Sequence, residues 1–225
     1  MYTESIENYL KIIYEIQKEH GKVSTNAVSE KLGVAPASVT SMMKKLSERK
    51  LITHKRYQGV KLTTAGRKIA LEVIRHHRLI ELYLAEALGV PWDRVHDEAE
   101  KWEHVLSEDL EDRMDAALGH PTRDPHGSPI PTRDGEIIEL DSIPLADLSP
   151  GQSGVVAEVS DHDPKLLRYV GEMGLYPSTS VKVLSVEPFS GPITVVVGDA
   201  SHVLGAEAAQ YVLITDVKGK TGEAA

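Results

Sequence analysis

A chain of 225 residues that is 41% hydrophobic has room for one to three modest domains. It contains no cysteine, which excludes disulfides, iron–sulfur clusters and thiolate zinc sites, and no apolar run approaches the roughly 20 residues of a membrane span. The net charge of −9 is unevenly spread: residues 1–70 hold 13 Lys and Arg against 6 Asp and Glu, while residues 71–225 hold 12 against 28, the balance of a basic nucleic-acid head on an acidic body.

The opening MYTESIENYL has neither a basic n-region nor an apolar h-region, so the expected location is the cytoplasm. Residues 3–20 predict a helix, with Ile6, Tyr9, Leu10, Ile13, Tyr14 and Ile16 on one stripe and Gly21 ending it. Ser24 caps a short helix that stops at Gly33, Pro36 sits in a turn near a first helical turn, and SVTSMMKKLSERK predicts a third helix. Short helix, turn and second helix form a helix-turn-helix signature. Two short strands around Tyr57-Gln58-Gly59 make a wing.

Thr63-Thr64-Ala65-Gly66 leads into a long helix through His77 and Glu81 to Leu88, broken by Gly89 and Pro91, and a helix on HDEAEKWEH is predicted to continue to about Leu118. From Gly119 to Pro150 six prolines mark a linker with extended stretches. GQSGVVAEVS, TSVKVLSVEP, ITVVVGD and YVLITDV then alternate as short strands around one helix, PKLLRYVGEM. The expected fold class is mainly α with a C-terminal all-β domain: a winged helix-turn-helix over 1–71, a helical metal-binding and dimerisation domain over 72–140, an SH3-like small β-barrel over 141–218, and a tail over 219–225.

In a helix-turn-helix the second helix reads the major groove. Its candidate base-facing residues are Ala37, Ser38, Thr40 and Ser41, all small, so methyl contacts and DNA shape are expected to carry much of the specificity. Lys44, Lys45 and Arg56 are placed to meet phosphates, as are Arg49, Lys55 and Lys61. The expected partner is a near-palindromic double-stranded operator bound by a homodimer.

On a continuous helix His96, Glu100, Glu103 and His104 stand at i, i+4, i+7 and i+8 and share one face, and His77 and Glu81 repeat the i, i+4 pairing upstream. Imidazoles and carboxylates so spaced can bind a divalent metal, which would also relieve the repulsion between Glu100 and Glu103. HExxH, HxxEH, a Gly-rich phosphate loop and a GxSxG elbow are all missing, so an enzyme is not expected. The combination suggests a metal-controlled transcription factor; a winged-helix regulator responding to a non-metal ligand is the alternative.

The segments ENYLKIIYEI, VSTNAVSEKLGVAPASVTSMMKKLSERKLI, LTTAGRKIA, HHRLIE, VHDEAEKWEHVLS and DPHGSPIP, with the β-domain, together resemble the diphtheria-toxin-repressor family of iron- and manganese-dependent repressors over roughly residues 3–217. The resemblance implies a metal-activated dimeric repressor of metal-uptake genes. It implies a regulatory site on Asn8, Glu100, Glu103 and His104, and an ancillary site on His77, Glu81 and His96, joined by Asp124 and His126 from the linker and by Asp163, or alternatively His162, from the β-domain. Because Glu100 stands where iron sensors have cysteine, the donor set favours a harder ion such as Mn²⁺, with Fe²⁺ as the alternative and other divalent metals binding in vitro.

Overall fold

The computed structural model describes residues 2–55 and 59–219. These fall into two compact units, drawn from Met1–His77, Glu100–Arg113 and Pro131–Ile137, and from Arg78–Ala99, Met114–Ile130 and Ile138–Ala225.

In the first unit α1 (Glu4–His20) turns Ile6, Tyr9, Leu10, Ile13 and Ile16 inward. Each such side chain contributes roughly 1.5–3 kcal/mol when fully buried. α2 (Thr25–Leu32) starts where the Ser24 hydroxyl accepts from the Ala27 N–H at 3.1 Å and ends at Gly33 in a left-handed conformation, as expected from the cap residues. α3 (Pro36–Glu48) has Pro36 in its first turn and buries Val39, Met43 and Leu46. β1 (Ile52–Lys55) and β2 (Gly59–Leu62) pair antiparallel as the wing. The expected wing tip and Arg56 lie outside the described residues.

α4 (Thr64–Glu86) begins where Gly66 passes close to the Leu51 carbonyl; a Cβ there would run into that oxygen, which explains the glycine. Thr63 Oγ1 accepts from the Gly66 N–H at 3.1 Å and donates to the Lys50 carbonyl at 2.8 Å, fixing the helix start to the turn that precedes the wing. α5 (Val95–Trp102) does not run on to Leu118 as predicted. The Trp102 carbonyl accepts from Val105 and Leu106 in a tight turn, Ser107 caps the next helix, and α6 (Glu108–Ala117) starts anew with Glu108, Asp109 and Glu111 favourably placed in its first turn.

A buried ionic network closes this unit. Arg75 Nε donates to Glu111 Oε1 at 2.5 Å and Arg75 Nη1 to the Pro131 carbonyl at 2.9 Å. His76 Nδ1 donates to the Glu103 carbonyl at 3.0 Å, with its Nε2 3.4 Å from Glu111 Oε2. The strap 131–137 is held again where Arg67 donates to the Gly135 carbonyl at 3.3 Å.

The second unit carries β3 (Ile143–Pro144), a 3₁₀ turn (Leu145–Asp147), β4 (Ser153–Val159), α7 (Pro164–Glu172), β5 (Ser180–Val186), β6 (Ile193–Val197), β7 (Ala200–Leu204), α8 (Ala206–Ala209) and β8 (Val212–Lys218). The sheet order is β3-β8-β4-β5-β6-β7, with antiparallel pairs throughout. This corrects the predicted SH3-like barrel: the sheet is open, with β3 and β7 as its edges and no ladder joining them among the described residues. β3 has only two residues, one of them a proline without an N–H, so it offers almost nothing to pair. α8 and the 3₁₀ turn pack together instead, burying Ala209 and Leu145 in the core with Val156, Val183, Val195 and Ile214. Side-chain packing thus seals the core where a barrel would use backbone hydrogen bonds. The predicted linker is also more ordered than a spacer: residues 124, 126 and 128–131 are buried, and the Val159 N–H at the end of β4 donates to the His126 carbonyl at 2.9 Å.

Burial opposes the charge on Glu111, but the hydrogen bonds from His76 and Arg75 outweigh it and hold the carboxyl at about 2. Glu111→Gln should therefore lower stability at neutral pH by roughly 2–3 kcal/mol. A depressed carboxylate pKa gives stability that is present above the unfolded value of 4.5 and lost as pH falls toward 2, so the gap between variant and wild type should close over that window, as checked by denaturant unfolding across a pH series.

Candidate functional site

The first unit gathers one ionic cluster around Glu103, which is 1% exposed. Glu103 and His104 lie in the turn after α5, while Glu100 is still helical. α1 brings Glu7, Asn8 and Lys11, and α4 brings His77. His104 Nδ1 donates to Glu7 Oε2 at 2.7 Å, and its Nε2 stands 2.7 Å from Asn8 Oδ1 and 3.3 Å from Glu103 Oε1. Lys11 Nζ donates to Glu103 Oε2 at 2.7 Å, Glu103 Oε1 at 3.0 Å and Glu100 Oε1 at 3.1 Å, and lies 3.3 Å from His77 Nδ1. His77 Nδ1 is itself 2.5 Å from Glu103 Oε2.

Burial works to strip the proton from Lys11, but Glu103 and Glu100 prevail and raise its pKa. Burial likewise works against the Glu103 carboxylate, and the His77 hydrogen bond and the Lys11 charge pull its pKa down. The expected regulatory residues Asn8, Glu100, Glu103 and His104 are therefore brought together in one unit. Lys11 and Glu7 join them; Glu7 had no sequence signal, since a glutamate on a half-polar helix reads as solvated surface.

The second unit holds another cluster. Glu81 from α4 is fully buried, His96 from α5 has Nδ1 3.2 Å from Glu81 Oε1 and 3.6 Å from Asp161 Oδ2, and Asp124 and His126 come from the former linker. Donor atoms of Glu81, Asp124 and His126 lie within 4.8 Å of one another. His126 Nε2 is 2.7 Å from the Trp92 carbonyl, which can only accept, so Nε2 carries a proton, and Nδ1 lies 3.8 Å from Glu81 Oε2. The Trp92 ring stacks on the imidazole with centroids 5.7 Å apart.

Asp124 Oδ1 accepts the N–H groups of His126 and Ser128, both at 2.9 Å, while its Oδ2 and His126 Nδ1 are buried without a hydrogen-bond partner. Burial and the Glu81 charge push the Asp124 carboxyl up to about 7. Two buried polar atoms without a hydrogen-bond partner beside a crowded set of acids fit a divalent cation with oxygen and nitrogen ligands.

The acid that the β-domain brings to His96 is Asp161, with its pKa lowered: burial opposes the charge, and the His96 hydrogen bond overrides it. Asp163 instead caps α7, accepting from the Lys165 N–H at 2.8 Å, and the His162 side chain is 62% exposed with Nδ1 3.6 Å from Asp161 Oδ1. The signal for Asp161 was its place one residue beyond the predicted strand GQSGVVAEVS. The single stripe of His96, Glu100, Glu103 and His104 is likewise corrected: the turn after Trp102 ends the helical register, His96 belongs to the second unit and the other three to the first.

On α3 the candidate groove residues Ala37, Ser38, Thr40, Ser41, Lys44 and Lys45 are all exposed on the face opposite Val39, Met43 and Leu46. Thr40 Oγ1 donates to the Pro36 carbonyl at 3.0 Å, so its hydroxyl is engaged on its own helix. No helix among the described residues is long and apolar enough to cross a membrane.

A winged helix-turn-helix with an exposed basic reading helix, set in one chain with two buried carboxylate–imidazole clusters, defines a DNA-binding regulator governed by divalent metal. Three family models match: the iron dependent repressor N-terminal DNA binding domain over residues 1–60, the iron dependent repressor metal binding and dimerisation domain over 63–132, and the FeoA domain over 143–216. The iron-dependent repressor IdeR of Mycobacterium leprae is 30% identical over 95% of this chain and 98% of its own length. The diphtheria toxin repressor of Corynebacterium diphtheriae is 33% identical over 58% of each chain. A solved manganese-dependent transcriptional repressor in complex with manganese is 40% identical, covers 93% of this chain and 98% of its own, and superposes with a TM-score of 0.86. The chain belongs to the diphtheria-toxin-repressor family: it is a metal-dependent DNA-binding transcriptional repressor of metal-homeostasis genes, and not an enzyme.

Two tests follow from the second cluster. The raised Asp124 pKa means that ionising this carboxyl costs folding energy above its unfolded value of 3.8, a cost that grows until about pH 7. In chelator at pH 7–8, Asp124→Asn should melt above wild type, and added Mn²⁺ should reverse the order; a thermal shift series reads both. Gly127 sits at φ +92° with its α-carbon against the Ala157 carbonyl, so Gly127→Ala adds strain and a clash and should destabilise the protein by roughly 2–4 kcal/mol, measured by denaturant unfolding.

Proposed function

We propose that this repressor is activated by Mn²⁺ through a regulatory centre on Asn8, Glu100, Glu103 and His104, with an ancillary centre on Glu81, His96, Asp124, His126 and Asp161. The observation that carries the reading is the convergence of the Asn8 Oδ1, Glu103 Oε1 and His104 Nε2 atoms from two segments 96 residues apart. The donors are carboxylate, amide and imidazole with no cysteine in the chain, which suits a harder divalent ion; the similarity to a manganese-dependent repressor supports Mn²⁺, and the similarity to iron-dependent repressors keeps Fe²⁺ as the second reading.

A divalent ion held by Asn8, Glu100, Glu103 and His104 would add its charge to that of Lys11 at the two glutamates. Asn8 and Glu7 then tie α1 to the turn at Glu103–His104, and α1 carries the core of the DNA-reading head through Ile6, Leu10 and Ile13. Fixing α1 narrows the range of separations open to the two reading helices of a dimer, which must span one helical turn of duplex. Lys44, Lys45 and Arg56 meet phosphates, and Ala37, Ser38, Thr40 and Ser41 face the bases. Metal binding and operator binding raise each other's affinity by the same factor.

Operator binding followed by fluorescence anisotropy should strengthen by about 10-fold or more when Mn²⁺ is added to the metal-free protein, consistent with a coupling of about 1–3 kcal/mol per linked event. Glu103→Ala should abolish the response. Full operator affinity in chelator, unchanged in Glu103→Ala, would refute the reading.

A further inference from the structure

Within the second unit, the loop between α4 and α5 faces two ways at Trp92. On one side its carbonyl accepts from His126 Nε2 at 2.7 Å, and its indole stacks on the same imidazole with 28° between the planes. On the other side the indole lies against α7 and the turn that follows it. The Tyr176 ring centroid is 4.7 Å away, and a Cβ on Gly171 would stand 3.2 Å from the indole Cζ2 and 3.0 Å from the Tyr176 hydroxyl. Gly171 thus leaves the gap that the indole fills. The next residue, Asp93, accepts from Arg168 Nη1 of α7 at 2.7 Å, so the loop is fastened to α7 by its backbone neighbour as well as by the ring.

We infer that Trp92 is a positioning residue for the ancillary centre, through which the seat of α7 on this loop sets the affinity of His126 for a divalent cation. The inference rests on the ancillary centre proposed above. An imidazole has two side-chain torsions to fix before its Nδ1 is aimed at anything. The hydrogen bond to the Trp92 carbonyl fixes the direction of Nε2, and the stacked indole fixes the plane of the ring. Together they hold Nδ1 on the far edge, buried and without a hydrogen-bond partner, in the group it forms with Glu81 and Asp124. Trp92 is not itself a ligand, since an indole offers only a donor. A ligand already held in its binding orientation has less freedom to lose when the cation arrives.

Mn²⁺ titration of the full-length protein by isothermal calorimetry, which resolves the two classes of site, tests this. Trp92→Leu should weaken the ancillary class by about 10–100-fold, the usual effect of losing a group that orients a histidine ligand, and leave the regulatory class unchanged. Trp92→Phe keeps a ring face for the imidazole and should recover most of the affinity. Gly171→Ala, a change on α7, crowds the indole and should weaken the same class; it decides the matter if Trp92→Leu does not fold. Unchanged affinities in Trp92→Leu, equal losses in both classes, or no recovery in Trp92→Phe would overturn the inference, and an unchanged Gly171→Ala would overturn the part assigned to α7. His126→Ala separates the two levels. It should abolish the class that Trp92→Leu weakens; if it binds Mn²⁺ as wild type does, the ancillary centre itself fails and the inference falls with it.

Discussion

A carboxylate sealed from water must find its counter-charge inside the protein, and Glu103 is where this chain meets that demand. Lys11 and His104 approach its side-chain oxygens, His77 shares its Oε2, and His76 holds its main-chain carbonyl. Those partners come from α1, α4 and the turn after α5. Satisfying one buried charge therefore brings together three elements distant in sequence. His76 also reaches Glu111, which Arg75 and Arg133 flank, so the demand is passed on to α6 and the strap 131–137.

The two clusters solve the same problem differently. Around Glu103 a lysine is built into the site, and the carboxylate pKa is low. In the second unit three acids, Glu81, Asp124 and Asp161, face His96, His126 and Arg78, whose Nε is 3.6 Å from Asp124 Oδ2. Asp161 finds its partner in His96; Asp124 does not find enough positive charge, and its pKa rises. The first cluster is compensated by its own chain, the second leaves a deficit that a cation would make good.

Much of this was readable in the sequence where local rules decide. Ser24, Gly33 and Pro36 gave the helix-turn-helix because caps and turns act over three or four residues. The apolar periodicity gave α1, α4 and four of the six strands of the second sheet. What failed was longer-ranged or competed with a regular pattern. The i, i+4, i+7, i+8 spacing of His96 to His104 presumed an unbroken helix, while Ser107 followed by Glu108 and Asp109 was a start signal that argued for a break. Barrel closure could not be read from strand spacing, because a four-residue helix and a 3₁₀ turn do the sealing. Asp163, with His162 as the alternative, is the acidic ligand that the resemblance implies, but Asp-Pro at a helix start is a capping signal and Asp163 caps α7, while Asp161, which the sequence reading does not name, stands beside His96. The family resemblance supplied the remaining pairings, which join segments that no local spacing connects.

The aromatic stack on His126 gives the molecule an optical property. The chain has two tryptophans: Trp92, whose ring lies on that imidazole and 4.7 Å from Tyr176, and Trp102, the last residue of α5, immediately before Glu103. Each cluster thus has its own intrinsic fluorophore, one half-buried and one exposed, so emission from a chain keeping only one indole would report on a single neighbourhood without an external label.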